Sequence, residues 1–164
     1  MSVTSSSTGH KLTDADIKHL CSKTSSSGGC FKVIKSDHRT ANVDSKGLFN
    51  GLVDKASRKA KNIQSELNTF AKATHDSKLR NEYKLCSEKY NDAIHKLEVA
   101  KEKLKSGAYK SVYVPVKDTY EDIKSCQKTL KGASNGHAQI LKKNNDLEFL
   151  LSIAKAAAND LNKK

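Results

Sequence analysis

Four cysteines are the residues of this chain whose side chains could form disulfide bonds, and their thiolates could also hold a metal ion. Cys21 and Cys30 lie close together in the sequence, whereas Cys86 and Cys126 lie far apart. No CxxC pair occurs, and no histidine stands at ligand spacing from a cysteine pair, which argues against a zinc site. Two disulfide bonds are therefore expected, and four buried free thiols are the alternative.

The histidines are scattered over separate parts of the chain and have no neighbouring Asp, Glu or Ser arrangement typical of a catalytic set. They are His10, His19, His38, His75, His95 and His137. No GxGxxG, Walker or GxSxG sequence occurs, so phosphate-binding and nucleophile-elbow chemistry are unsupported. The sequence predicts no catalytic residue, no metal site and no cofactor, and it does not indicate an enzyme.

The chain is strongly basic, with 30 Lys and Arg against 18 Asp and Glu and a formal charge of +12. Such a charge attracts nucleic acid, acidic polysaccharide or an acidic protein. The lysines are spread over all the helical segments and the aromatic residues fall mostly on core positions, so no specific nucleic-acid site is predicted. No apolar run is long enough to span a membrane.

Helical periodicity dominates the second part of the chain. Apolar residues recur every three or four positions over 45–72, 77–105, a segment starting near Pro115, and 140–161. Ser77 is a plausible N-cap and Gly107 a stop signal for the second of these helices. Four long helices joined by short loops, one of them glycine-bearing at 133–137, predict an all-α antiparallel four-helix bundle over 45–162.

The segment 12–37 differs and predicts a small N-terminal helical hairpin, with a capping box from Thr13 to Asp16. A Cys21 to Cys30 bond would close its polar, glycine-rich loop, and Cys86 and Cys126 could meet where the second and third long helices pack. The second bond would contribute about 4 kcal/mol by restricting the unfolded chain. One domain over 12–164 is expected, preceded at 1–11 by a disordered leader or a remnant of protein expression without a signal peptide.

The segment LRNEYKLCSEKYNDAIHKLEVAKEKLKSGAYKS, residues 79–111, closely resembles the central helix and following turn of plant pectin methylesterase inhibitors. With the cysteine placement and the last helix, the resemblance to the pectin methylesterase and invertase inhibitor family covers about 16–161. It implies a four-helix bundle with an N-terminal hairpin, two disulfides paired in chain order, and no catalytic activity. It also implies a secreted protein of the cell wall or apoplast.

The turn after the second long helix bears on which enzyme is the partner. Invertase inhibitors of the family carry a Pro-Lys-Phe motif there, whereas this chain has SGAYKSV with Tyr109 and Lys110. This turn is similar to that of the esterase inhibitors, so pectin methylesterase is the expected partner. Acid invertase is the alternative, which Lys110 and the basic charge support.

The resemblance also implies a contact strip along the second and third long helices, formed here by Glu88, Asp92 and Ser125. The spacing of four and three places Glu88, Asp92 and His95 on one stripe that points away from the core. His95 and Lys128 stand where the family would have acidic residues.

The implied mechanism is steric: the bundle lies across the pectin-binding cleft of the esterase and excludes pectin. A non-inhibitory family member that binds polyanions through its basic charge is a further alternative, and weak binding to acidic polysaccharide is compatible with each function. The expected state is a monomer or a dimer that exchanges its N-terminal hairpin.

Overall fold

A computed structural model describes residues 9–131 and 138–163, and within these residues it contains helices and no strand. Three short helices come first and four long ones follow, with a single 3₁₀ turn at Tyr109–Ser111 before the third long helix. The helices are α1 (Asp14–Cys21), α2 (Ser27–Lys35), α3 (His38–Ala41), α4 (Ser45–Ala73), α5 (Ser77–Lys105), α6 (Tyr113–Lys131) and α7 (Ala138–Asn162).

The four long helices form a closed antiparallel bundle. Helix α4 packs on α5 and α7, and α6 packs on the same two helices from the opposite side. The apolar positions spaced three and four apart supply the core, whose largest fully buried side chains include Tyr90, Phe49, Leu97 and Leu147. The all-α four-helix bundle predicted from the sequence is confirmed.

The N-terminal hairpin consists of α1 and α2, which pack on each other and on α7. Its capping box is present: Asp16 N–H donates to Thr13 Oγ1 at 3.1 Å, and Thr13 N–H donates to Asp16 Oδ2 at 2.8 Å. A disulfide joins Cys21 to Cys30 with 5.5 Å between the Cα atoms. Both the hairpin and this pairing are confirmed.

The N-terminus of α5 corrects one expectation. Asp76, and not Ser77, is the N-cap, and Ser77 is the first helical residue. Asp76 Oδ1 accepts hydrogen bonds from the N–H groups of Lys78 at 3.0 Å and Leu79 at 3.2 Å. A carboxylate at this position both satisfies free N–H groups and interacts favourably with the helix dipole, which explains why Asp takes the cap.

Asp76→Ala should lower the free energy of unfolding by about 1 kcal/mol, because two N–H groups of the first turn lose their acceptor. In thermal unfolding this corresponds to a decrease in Tm of about 2–4 °C for a chain of this size. Ser77→Ala is the matched control, since that side chain is exposed and makes no cap hydrogen bond. If the two variants have the same Tm, or if Ser77→Ala has the lower Tm, the assignment of the cap to Asp76 is wrong.

The connection from α5 to α6 turns at Gly107, whose φ of +82° is readily adopted by glycine alone. Helix α6 begins at Tyr113, two residues before the predicted start at Pro115. Proline fits here because the N–H groups of the first helical turn have no partner within the helix.

Helix α3 was not predicted and lies in the connection between hairpin and bundle. The Thr40 hydroxyl, nearly fully buried, donates to Ile34 O at 2.7 Å and fixes this turn. A Cβ added to Gly51 of α4 would lie 2.9 Å from Arg39 O, so the glycine allows the close approach. At its N-terminus, hydrogen bonds from the backbone and side chain of Arg39 lower the pKa of Asp37.

A polar network crosses the apolar core between α5, α6 and α7. The Tyr90 hydroxyl donates to Asn144 Oδ1, and Asn144 Nδ2 donates to Ile123 O at 3.1 Å and Gln127 Oε1 at 2.8 Å. Burial raises the pKa of Tyr90, so the phenol stays protonated and remains a donor. Each polar atom in this part of the core therefore has a partner.

The leader predicted for 1–11 lies mostly outside the described residues, as does the loop predicted for 133–137 with His137. Within the described ranges, no helix is long and apolar enough to cross a membrane.

Candidate partner-binding surface on α5 and α6

The predicted stripe lies on the outer face of α5. Glu88, Asp92 and His95 are all exposed, while Cys86 and Tyr90 on the opposite face are buried. This follows from the helical repeat, since residues four and three apart lie on one side of a helix. Their side chains are therefore accessible to a partner without any change in the core.

Ser125 is held beside this stripe by a covalent bond. Cys126 of α6 is bonded to Cys86 of α5, with 5.0 Å between the Cα atoms, so Ser125 lies at the seam of the two helices. The Ser125 side chain is half-buried, and its carbonyl accepts the Thr129 hydroxyl at 3.1 Å. The predicted pairing of Cys86 with Cys126 is confirmed.

An ion pair fixes the relative position of the two helices. Lys96 Nζ lies 2.9 Å from Asp122 Oδ2, and the Asp122 side chain is only 10% exposed. Asp92 is one turn before Lys96 on α5, and Ser125 is nearly one turn after Asp122 on α6. The edges that carry Asp92 and Ser125 therefore face each other across the seam, and we call the set Glu88, Asp92, Lys96, Asp122 and Ser125 the α5–α6 face.

Sequence reasoning missed three features of this surface. The Lys96–Asp122 pair depends on the register of two helices, which no local pattern reveals. Leu85 is 55% exposed and Val114 is 59% exposed, and both stand near the outer edges of these helices. Leu85 could have been found, because it falls outside the apolar spacing set by Tyr83 and Cys86.

The turn after α5 forms a separate surface. Lys110 is exposed, whereas Tyr109 is half-buried and packs against the core. Tyr109 follows Asp92 by 17 positions, most of which are helical. Because a helix rises 1.5 Å per residue, the turn lies roughly 25 Å from Asp92 along the bundle. Glu88, Asp92 and His95 lie on the outer side of α5 and Ser125 lies on α6, whereas Tyr109 and Lys110 lie at the bundle end.

Candidate metal sites and clefts bear on what these surfaces can bind. Within 9–131 and 138–163, no group of three or more His, Cys, Asp or Glu residues could hold a metal ion. An open cleft of about 480 Å³ lies between the start of α4 and the end of α5, and its lining includes Lys46, Glu98 and Lys101. The exposed side chains of Glu88 and Asp92 leave this face accessible to a partner.

The fold is that of a disulfide-linked helical bundle, and comparison with known sequences identifies its family. The model of the family "Plant invertase/pectin methylesterase inhibitor" matches residues 15–156, and the chain belongs to this family. The family consists of inhibitors of enzymes and not of enzymes. A protein of Actinidia deliciosa named "Pectinesterase inhibitor" is 32% identical over 143 residues, which cover 87% of this chain and 77% of that protein.

Solved structures agree on the fold. A mutant form of a pectin methylesterase inhibitor from Arabidopsis matches with a TM-score of 0.81 at 22% identity, over 88% of this chain and 95% of that one. A pectin methylesterase inhibitor from Arabidopsis thaliana matches with a TM-score of 0.69 at 20% identity, over 90% and 97%. At these identities the likeness concerns the fold alone.

Proposed function

We propose that this chain binds a plant pectin methylesterase and blocks its pectin-binding cleft with the α5–α6 face. The family and the relative named as a pectinesterase inhibitor support the choice of target. The choice of surface is supported by the placement of Asp92 and Ser125 on the two helices that the Cys86–Cys126 bond and the Lys96–Asp122 pair join. Such a face needs no rearrangement on binding, which lowers the entropic cost of association.

The two disulfides support a place of action outside the cytosol. Bonds of this kind persist in oxidising compartments, and the named relative belongs to a family of plant inhibitors. We therefore place the chain among secreted proteins of the cell wall or apoplast, where its target meets pectin. Its proposed state is a monomer, and a dimer that exchanges the α1–α2 hairpin is the alternative.

Steric exclusion predicts competitive inhibition kinetics, which can be measured. Inhibitor and pectin would compete for one cleft, so a rising pectin concentration should relieve the inhibition, and the apparent KM should rise while kcat stays constant. A fall in kcat at unchanged KM would contradict occlusion of the cleft, even if the protein inhibited.

Acid invertase is the second candidate target, because the exposed Lys110 in the turn at the bundle end could enter an acidic active site. Lys110→Glu is expected to leave inhibition of a pectin methylesterase nearly unchanged, since the turn lies far from Ser125. If the chain instead inhibits an acid invertase and Lys110→Glu removes that inhibition, the turn and not the α5–α6 face is the functional surface.

A further inference from the structure

Helix α6 presents different chemistry at its two edges. The edge toward α5 carries Asp118, Asp122 and Ser125, whereas helical spacing places a basic and aromatic row on the edge toward α7. This row consists of Tyr113, Lys117, Tyr120, Lys124 and Lys131. Its lysines recur every seven residues, which is about two helical turns, so the three lysines span about 21 Å.

Tyr120 organises two of the ammonium groups in this region. Lys155 Nζ of α7 lies 4.2 Å from the centre of the Tyr120 ring, and Lys124 Nζ lies 5.6 Å from it. Both distances are within the range of cation–π contacts. Among the described residues no carboxylate lies within 4.0 Å of Lys117, Lys124 or Lys155, so their charges are not neutralised by an ion pair.

The loop of the N-terminal hairpin closes one side of the space above this row. Two open clefts of about 350 and 400 Å³ lie there and share Ser25, Tyr120 and Ser152 as lining residues. Lys23 and Asn159 line the first of them. We call the combined space the α6–α7 groove, and it offers ammonium groups, hydroxyls and an amide to a ligand.

Carboxylates are also present near the groove and limit what it can bind. Lys23 is 3.9 Å from Asp160, and Asp146 and Glu148 line the second cleft. Glu148 interacts with Lys124 and Lys131, but burial outweighs them and raises its pKa. Lys23 and Lys155 line the first cleft, whereas Lys117, Lys124 and Lys131 stand beside the groove on α6. Glu148 in the second cleft repels an anion.

From these features we infer that the α6–α7 groove binds an acidic oligosaccharide, with sugar carboxylates on the lysines and sugar hydroxyls on Ser25, Ser152 and Asn159. Charges spread over about 21 Å suit a linear oligomer and not a single small anion. The site is distinct from the α5–α6 face, and the inference holds whether or not the chain inhibits an esterase.

Nucleic acid fits these observations less well. Proteins that bind single strands stack bases on free aromatic faces, and here Lys155 lies over the ring of Tyr120. Arginine, which suits phosphate through its planar fork, is absent from the described lining of both clefts. Lysine point charges with neighbouring hydroxyls and amides suit spaced carboxylates better.

Binding of a linear oligogalacturonate to the full chain, measured by calorimetry without any enzyme, tests this inference. The parent should bind it with an affinity that falls as salt is raised, and the same oligomer with its carboxylates methyl-esterified should not bind. Lys124→Glu with Lys155→Glu should weaken binding about tenfold or more, because it places two negative charges beside Tyr120, which lines both clefts. Glu148→Gln should strengthen it.

Lys61→Glu with Lys72→Glu is the matched control, because it changes the net charge equally on exposed positions of α4. If both double variants weaken binding alike, the interaction is diffuse attraction and there is no groove site. Tyr120→Leu keeps the net charge and should also weaken binding, with thermal unfolding reporting on its fold. Ser125→Trp should leave oligomer binding intact. The inference would be overturned if the parent did not bind the oligomer at low salt, or if it bound single-stranded DNA more tightly.

Discussion

Ser125→Trp is expected to weaken inhibition of a plant pectin methylesterase about a hundredfold, or about 2.8 kcal/mol, with helix content and Tm nearly unchanged. Ser125 lies at the seam of α5 and α6 beside the disulfide, and its side chain is half-buried with an open side. An indole group there would stand between the two helices and the enzyme. The measurement is an inhibition curve with parent and variant at the same enzyme concentration.

The chain offers a close control for this substitution. Ser65 of α4 is also a helical serine whose carbonyl accepts the hydroxyl of a threonine four residues later, at 3.0 Å from Thr69. Ser65→Trp thus introduces the same side chain at an exposed position on a different helix, and should leave inhibition unchanged. If Ser125→Trp inhibits as well as the parent, the α5–α6 face is not the contact surface.

Removal of the disulfide between α5 and α6 should have the largest effect on stability. Cys86→Ala with Cys126→Ala is expected to cost about 4 kcal/mol, because the bond closes a loop of 40 residues in the unfolded chain. The decrease in Tm should be about 10 °C. Inhibition should fall as well, since the seam that holds Ser125 beside Asp92 is no longer tied.

The other disulfide is the matched comparison. Cys21→Ala with Cys30→Ala opens a loop of only 9 residues and should cost about 3 kcal/mol, with loss of order expected first in the α1–α2 hairpin. This variant should still inhibit the esterase at temperatures below its unfolding transition. Chemical denaturation of both double variants gives the two free energies, and an equal loss of inhibition from both would contradict the assignment of binding to α5 and α6.

Local patterns in the sequence were sufficient to predict most of the fold. Apolar spacing of three and four predicted the four long helices, and the residue types at Thr13, Asp16 and Gly107 predicted a cap and a turn that are present. These features depend on residues close together in the chain. The cap at Asp76 was assigned one residue too late because both Asp and Ser are good N-caps, and only the geometry distinguishes them.

Features that depend on distant contacts could not be predicted in this way. Helix α3 is stabilised by the hydrogen bond from the buried Thr40 hydroxyl to the Ile34 carbonyl. Gly51 of α4 has no side chain and so allows α3 to approach closely. Asp122 is a carboxylate at a nearly buried position, where the helical pattern alone predicts an apolar residue. Its burial is explained by Lys96 of another helix, which pairs with it. The cation–π contact of Lys155 with Tyr120 likewise requires the register of α6 against α7.

The candidate site was predictable only in part. Spacing alone placed Glu88, Asp92 and His95 on one outward stripe, and the resemblance to the inhibitor family selected that stripe from several exposed ones. The structure adds that Ser125 and Asp92 line facing edges of a seam fixed by a disulfide and an ion pair. His95 and Lys128 stand at exposed positions of the same two helices.

The most direct test of the central claim is a titration of a plant pectin methylesterase with the purified full chain, with an acid invertase titrated in parallel. The proposal predicts that esterase activity falls as the protein is added and is lost in stoichiometric excess, while invertase activity is unaffected. Full esterase activity in excess of the protein would contradict the proposal.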